Sequence, residues 1–319
     1  MSESPKTAVV LTTAPIRTVS FVLDSLRTHG YFVPLIISAP GPNASLTQGH
    51  FTETGNRIAS YLSEDEPTAA PGQHPPPTLA VVYRSGQIEP LASAFNPALV
   101  LSFAFPYPLG PRLLSSGPTF INLHTAPLPS LRGPNPHVWP ILRPDAYPLD
   151  QFTICWHYMV PEVDKGAIIK EESVDLSTMD SSTITARQLQ DLAAVTGLGV
   201  LDDVMELVES GFVGTAQEAN KPLAAGLQGA ARMLSDEERL ITPDTTVTQA
   251  LRLFRAIGHS DLPPLIRLDR GLFVVRSIAK AAAEGDFNIS QEPGTSQRIG
   301  FTTLYHCTGG QLLLTLRKM

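Results

Sequence analysis

Short apolar runs rich in β-branched residues alternate, through the first half of this chain, with segments whose apolar residues recur at helical spacing. That alternation leaves few folds open. Ala8–Leu11, Phe32–Ile37, Leu79–Tyr83, Ala98–Phe103 and Thr119–Leu123 read as buried strands. Val19, Val22, Leu23 and Leu26 share one face of a helix over Thr18–Leu26, and Glu89–Phe95 is helix-like. Ala39-Pro40-Gly41-Pro42 ends the second strand, and a short helix near Asn56–Leu62 leads into Pro67–Pro77, where five prolines make a surface loop or spacer. Strand-like Phe152–Met159 and Ala167–Glu171 follow. Ser181–Ser210 is the longest helical region, interrupted near Gly197 and Gly199. The pattern predicts a doubly wound α/β sheet.

The character of the chain changes after Gly211. Gly211–Ser235 turns to Ala, Gly and Gln without periodicity and reads as a connector. Thr245 or Asp244 can cap a helix over Val247–Ile257, and Leu265–Leu268, Leu272–Ile278, Gln297–Phe301, Leu304–Cys307 and Gln311–Leu316 read as short strands. Five strands and a helix suit a small open β-barrel of the oligonucleotide/oligosaccharide-binding (OB-like) kind. The predicted division is 1–211, a connector at 212–238, and 239–319.

Composition narrows the function. With 23 Lys and Arg against 30 Asp and Glu, the chain has the wrong sign for a protein whose affinity comes from neutralising a polyanion. Cys155 and Cys307 match no metal-ligand spacing and read as reduced core thiols, so no metal is expected. Ala8–Thr12 is too brief for a signal sequence and no run approaches a membrane span, which predicts a cytoplasmic protein. No G-x-G-x-x-G follows the first strand, which disfavours a dinucleotide site.

The chemistry concentrates in two segments. The first is Phe120-Ile121-Asn122-Leu123-His124-Thr125-Ala126-Pro127-Leu128-Pro129-Ser130-Leu131-Arg132-Gly133. Asn122 and His124, two apart in a strand, project from one face at its C-terminal end, where sites in open α/β sheets form. The second is Glu162-Val163-Asp164-Lys165-Gly166-Ala167-Ile168-Ile169, whose Asp164 can hydrogen-bond and orient an imidazole. His157 lies in a strand and reads as a structural residue or a pocket wall.

Together the two segments resemble the signature of the formyltransferases that use 10-formyltetrahydrofolate: apolar-N-apolar-H-x-S-L-L-P with a following R-G, and D-x-G-x-I. The resemblance implies a Rossmann-like formyltransferase domain, with 10-formyltetrahydrofolate as co-substrate and Asn122, His124 and Asp164 as the catalytic set. In that reading Asn122 and His124 donate to the oxyanion formed as an amine attacks the formyl group, while Asp164 positions His124 and takes the amine proton, directly or through water. The stretch Phe103, Ala104, Phe105, Tyr107 and Leu109 aligns with the loop that cradles the pterin, joined by Val160 and Glu162. Arg132, Asn135 and Trp139 are the acceptor-side candidates, with a structural turn equally open for Arg132 and a core position for Trp139. Ala126 and Pro127 depart from the usual Ser and Leu.

More loosely, the region from Asp236 is similar to the C-terminal domain of methionyl-tRNA formyltransferase. Two features turn the expected acceptor away from tRNA. Ser38–Phe51 contains no Lys or Arg where those enzymes carry a basic insertion, and from Ser235 onward ten Lys or Arg face nine Asp or Glu. A small-molecule amine is the expected partner. A tRNA formyltransferase, a folate-binding homologue without catalysis, and a formyl-folate hydrolase are the alternatives.

Overall fold

The computed structural model describes residues 6–14, 16–39, 76–217, 231–269, 271–281 and 292–319. The helix expected near Asn56–Leu62, the proline-rich segment as far as residue 75, and residues 218–230 of the expected connector lie outside the described residues.

The chain divides into two compact units, 1–133 with 152–174 and 192–230, and 134–151 with 175–191 and 231–319. The first is built on β1 (Lys6–Thr12), β2 (Tyr31–Ser38), β3 (Thr78–Val81), β4 (Leu99–Phe103), β5 (Thr119–His124), β6 (Thr153–Tyr158) and β7 (Ile168–Ser173). These form a seven-stranded sheet in the order β3-β2-β1-β4-β5-β6-β7. The first five strands are parallel, β6 pairs antiparallel with β5, and β7 pairs antiparallel with β6. Parallel strands need covering on both faces, and the central ones are accordingly apolar throughout: Val9, Val10, Leu11, Leu99, Val100 and Leu101 are wholly buried. Each such side chain contributes about 1.5–3 kcal/mol by leaving water.

Helices α1 (Ile16–Thr28), α2 (Ile88–Ser93) and α3 (Pro111–Leu114) connect the parallel strands. Sheet order reverses between β1 and β4, and the loops leaving their C-terminal ends are tied there by Thr13, whose amide and hydroxyl both donate to Ala104 O. Such a reversal opens a crevice for ligands. The long helical region is two helices, α4 (Ala186–Gly199) and α5 (Leu201–Glu209), broken at Val200 as the glycines suggested. Gly197 has a separate reason to be glycine. A Cβ there would lie 2.5 Å from a Leu123 methyl, so the helix lies directly on β5 at the residue between Asn122 and His124. Trp156 Nε1 donates to Gly197 O at 2.7 Å and fixes that contact.

In the second unit, β8 (Leu240–Ile241), β9 (Leu265–Leu268), β10 (Gly271–Lys280), β11 (Ser296–Ile299), β12 (Thr302–Cys307) and β13 (Gly310–Lys318) form a sheet in the order β11-β12-β13-β10-β9-β8. The pair β8 and β9 is parallel and the others are antiparallel. The two-residue β8 was not anticipated, being too short to show a period. Helix α6 (Val247–Ile257) has the expected limits, but its cap is Thr246 rather than Thr245 or Asp244. Thr246 Oγ1 accepts from Gln249 N and Gln249 Oε1 accepts from Thr246 N, a reciprocal capping box, whereas Thr245 Oγ1 accepts from Thr242 N in the preceding turn. Both cysteines are buried free thiols, and no helix among the described residues is long and apolar enough to cross a membrane. Replacing Thr246 with Ala should lower stability by about 1 kcal/mol in denaturant melts of the whole chain.

Candidate active site

Strand period and register create the site. Along β5, Ile121 and Leu123 face the core on one side, which turns Asn122 and His124 to the other. The antiparallel register sets His157 of β6 directly opposite Asn122 and Cys155 opposite His124. Asn122 Nδ2 and His157 Nε2 are 3.1 Å apart, and His157 Nδ1 is 2.8 Å from Tyr158 O. A carbonyl only accepts, so Nδ1 of His157 carries the proton, leaving Nε2 to accept from the Asn122 amide. Burial lowers the His157 pKa to about 4, against the opposing pull of the Asp164 carboxylate, so the ring is neutral at neutral pH. One N–H of the Asn122 amide is thus committed, and one is left over.

His124 is also buried. Its Nε2 lies 2.8 Å from Leu131 O and therefore donates to it, which leaves Nδ1 as the basic nitrogen of the neutral ring. Nδ1 faces Asp164 Oδ2 at 3.7 Å, and Asp164 Oδ1 is the same distance from His157 Nε2. One carboxylate thus stands between two imidazoles.

Asp164 reaches that place through a demanding turn. It is one of three non-glycine residues at positive φ among those described, at +56°, a conformation that costs an ordinary residue about 1–2 kcal/mol. Two residues on, a Cβ at Gly166 would lie 1.6 Å from Tyr158 O, so only glycine fits against the β6 backbone. The β6–β7 register slips by one residue at the same point, between Trp156 and His157. The D-x-G pattern is therefore a packing requirement: the close approach of Gly166 is what lets the loop fold back with Asp164 over β5.

The Arg132–Gly133 turn holds the other side of the carboxylate. Gly133 N donates to Asp164 Oδ2 at 2.9 Å, and Arg132 Nε donates to Asp164 O at 3.1 Å. Gln217, 1% exposed, links the same elements: its Nε2 donates to Asp164 O at 2.8 Å and to Gly166 O at 2.7 Å. Its Oε1 accepts from Arg132 Nε at 3.1 Å and Nη2 at 2.5 Å. Ala126, in place of the usual Ser, is wholly buried, and the turn after it is closed by Leu131 N and Ser130 Oγ donating to Pro127 O.

The expected co-substrate loop lies beside β5, at the end of β4. Phe103 is buried, Ala104 is at φ +47°, Leu109 is buried, and Phe105 and Tyr107 meet edge to face with ring centroids 6.1 Å apart. Tyr107 Oη donates to Tyr83 O at 2.9 Å. Val160 and Glu162 are exposed on the loop leading to Asp164, where Glu162 O accepts from Lys165 N. Asn135 and Trp139 belong to the second unit: Asn135 N donates to Ala231 O, and Trp139 Nε1 donates to Arg232 O, whose guanidinium lies 5.2 Å from the indole ring centre. Two residues of the cluster carry more than the sequence indicated. His157 emerges only once register places it opposite Asn122, and Gln217 lies in no motif.

A cluster of this kind can take a proton at His124 Nδ1, stabilise the resulting charge with Asp164, and offer an amide N–H to a developing oxyanion. Acid should destabilise the fold through His157. Its folded pKa lies below the ordinary value, so the stability that depends on a neutral ring is complete above pH 6.5 and is lost as pH falls toward about 4. His157→Gln should flatten the stability–pH curve over that window in urea melts, where the native curve should fall by an amount on the order of 3 kcal/mol. Gly166→Ala should abolish the native arrangement of the loop, seen as loss of a cooperative melt or of the Asp164-dependent histidine signals in NMR spectra.

No protein-family model matches the chain. Solved structures do. HypX from Aquifex aeolicus in complex with tetrahydrofolic acid aligns with a TM-score of 0.64 at 12% identity, covering 99% of this chain and 44% of that one. A sugar N-formyltransferase from a Shewanella species aligns at 0.57 and 16% identity, covering 85% of this chain and 97% of its own. An N-formyltransferase from Helicobacter canadensis, in complex with folinic acid and dTDP-3-aminofucose, aligns at 0.53 and 10% identity, covering 98% and 100%. The chain thus spans under half the length of HypX but nearly the whole of the two N-formyltransferases. The chain shares its fold with these proteins, and its mixed, parallel-rich sheet fits the Rossmann-like domain of the formyltransferases among them.

Proposed function

We propose that this chain is a formyltransferase that moves a formyl group from 10-formyltetrahydrofolate to the primary amine of a small molecule, with Asn122, His124 and Asp164 as its catalytic residues. The observation that carries the reading is the convergence of those three side chains, from two separate segments, on one face of β5 beside the Ala104 loop. That loop suits a reduced pterin. It offers non-regular backbone for an amide-like ring edge and the partly buried rings of Phe105 and Tyr107 for the ring faces. The folate supplies the activated formyl carbon.

The residues divide the work as follows. His124, whose ring N–H is taken by Leu131 O and so is not the oxyanion donor expected from the sequence, accepts the proton of the attacking amine at Nδ1 in place of Asp164, and Asp164 stabilises the imidazolium that results. The uncommitted N–H of Asn122 donates to the carbonyl oxygen as charge develops there. His157, neutral and accepting from the other Asn122 N–H, holds that amide in orientation. As the new nitrogen–carbon bond forms and the bond to N10 breaks, His124 returns its proton to the departing nitrogen. The chain is left as it began.

A small acceptor is favoured by charge, 30 Asp and Glu against 23 Lys and Arg, and by the absence of Lys or Arg over residues 38–51. The neighbours described as sugar N-formyltransferases make an amino sugar carried on a nucleotide the first class to try. We read residues 1–211 as the catalytic domain, 212–238 as a connector and 239–319 as a barrel of the OB-like kind. The antiparallel strands β9 to β13 and the capped helix α6 support the last.

The test is an acceptor screen with 10-formyltetrahydrofolate, read as the mass gain of one formyl group. Asn122→Ala, His124→Ala and Asp164→Ala should each lower kcat by about 100-fold or more while keeping a cooperative melt. Wild-type turnover by His124→Ala would overturn the assignment. Activity on a small amine should change little between low and moderate salt, whereas a steep loss, with tRNA as acceptor, would replace the small-amine reading with the polyanion one.

A further inference from the structure

The geometry points to Gln217 as a positioning residue that acts through Asp164: its carboxamide fixes the turn that aims the Asp164 carboxylate at His124. The inference rests on the formyl-transfer reading above. Gln217 is buried, and its carboxamide is fully engaged. The two Nε2 hydrogens go to Asp164 O and Gly166 O, at 2.8 and 2.7 Å, and the two Oε1 lone pairs accept from Arg132 Nε and Nη2, at 3.1 and 2.5 Å. The NH2 group thus clips two carbonyls that bracket Lys165, which fixes both ends of the turn that begins at Asp164.

The side chain that does this is itself anchored. Two residues before it, Thr215 pairs with Ile168 through both backbone hydrogen bonds, each 2.8 Å, so the segment carrying Gln217 is registered against the start of β7. Arg132 Nε also donates to Asp164 O, and the next residue, Gly133, donates to Asp164 Oδ2. Gln217 therefore joins the two loops that between them hold the carboxylate. Nothing else about it suggests contact with a substrate: all its hydrogen-bonding positions are used within the protein. Lost Gln217 contacts would leave His124 in place on β5 but let Asp164 leave its left-handed conformation.

The test is a double-mutant cycle on the full chain, using Gln217→Met, which keeps the volume and removes every hydrogen bond, with Asp164→Asn. Gln217→Met alone should lower kcat about tenfold or more, with KM for 10-formyltetrahydrofolate within about threefold of wild type. In the Asp164→Asn background it should change kcat by less than about twofold, because the two substitutions disable one device. Losses that multiply independently, or wild-type kcat in Gln217→Met, would overturn the inference. If Gln217→Met does not fold, Gln217→Glu serves, since it keeps an acceptor for Arg132 but sets oxygen against both carbonyls. It should be equally impaired, and full activity would refute the inference. A readout independent of turnover separates this inference from the function on which it rests. In 15N spectra of the imidazoles, Gln217→Met should move the His124 Nδ1 resonance in the same direction as Asp164→Asn does. A His124 signal that responds to Asp164→Asn but not to Gln217→Met would refute the role of Gln217, whatever the acceptor screen returns.

Discussion

The Tyr158 carbonyl leaves room at Gly166 for a hydrogen and nothing larger, and the geometry of the site depends on that close approach. Because the loop after β6 can press against its own strand there, it turns back over β5 instead of away from it. Asp164 arrives between His124 and His157 in a left-handed conformation, which Asp tolerates better than most residues but which still costs free energy. The surrounding hydrogen bonds from Gly133, Arg132 and Gln217 offset that cost, each contributing on the order of 1 kcal/mol and more where a charge is involved. Backbone strain of this kind persists where the surrounding structure over-determines it.

The two histidines show how burial and partner assign different tasks to one residue type. His157 donates Nδ1–H to the carbonyl of the next residue and is pushed by burial to a pKa near 4, so it serves as a fixed acceptor for Asn122. His124 is bound through the opposite nitrogen, to Leu131 O, and turns Nδ1 toward the carboxylate. Neither arrangement follows from the imidazole itself. Each is set by which ring nitrogen finds a carbonyl, a choice made by strand register and by the turn at Leu131.

Fold likeness here extends to proteins only 10–16% identical. What such distant chains can share is the placement of strands and loops. The apolar residues that fill the sheet are free to change so long as volume and pattern are kept.

The elements and the two segments that meet are legible in the local sequence. Strand and helix positions in the first unit follow from periodicity, as at Thr119–His124, where period two puts Asn122 and His124 on one face whatever the rest of the chain does. The limits of helix α6 were legible from apolar spacing, but its cap was not: Thr246 takes the place expected of Thr245 or Asp244, because Thr245 is used in the preceding turn. The tertiary structure alone decided the rest. His157 joins the site only through the β5–β6 register, Gln217 through a pairing between Thr215 and Ile168 that spans 47 residues, and Asp164 through an approach measurable only between backbones. Local sequence carries period and turn chemistry, whereas register and long-range hydrogen bonding depend on which segments the completed core brings together, and the candidate site is made of the latter.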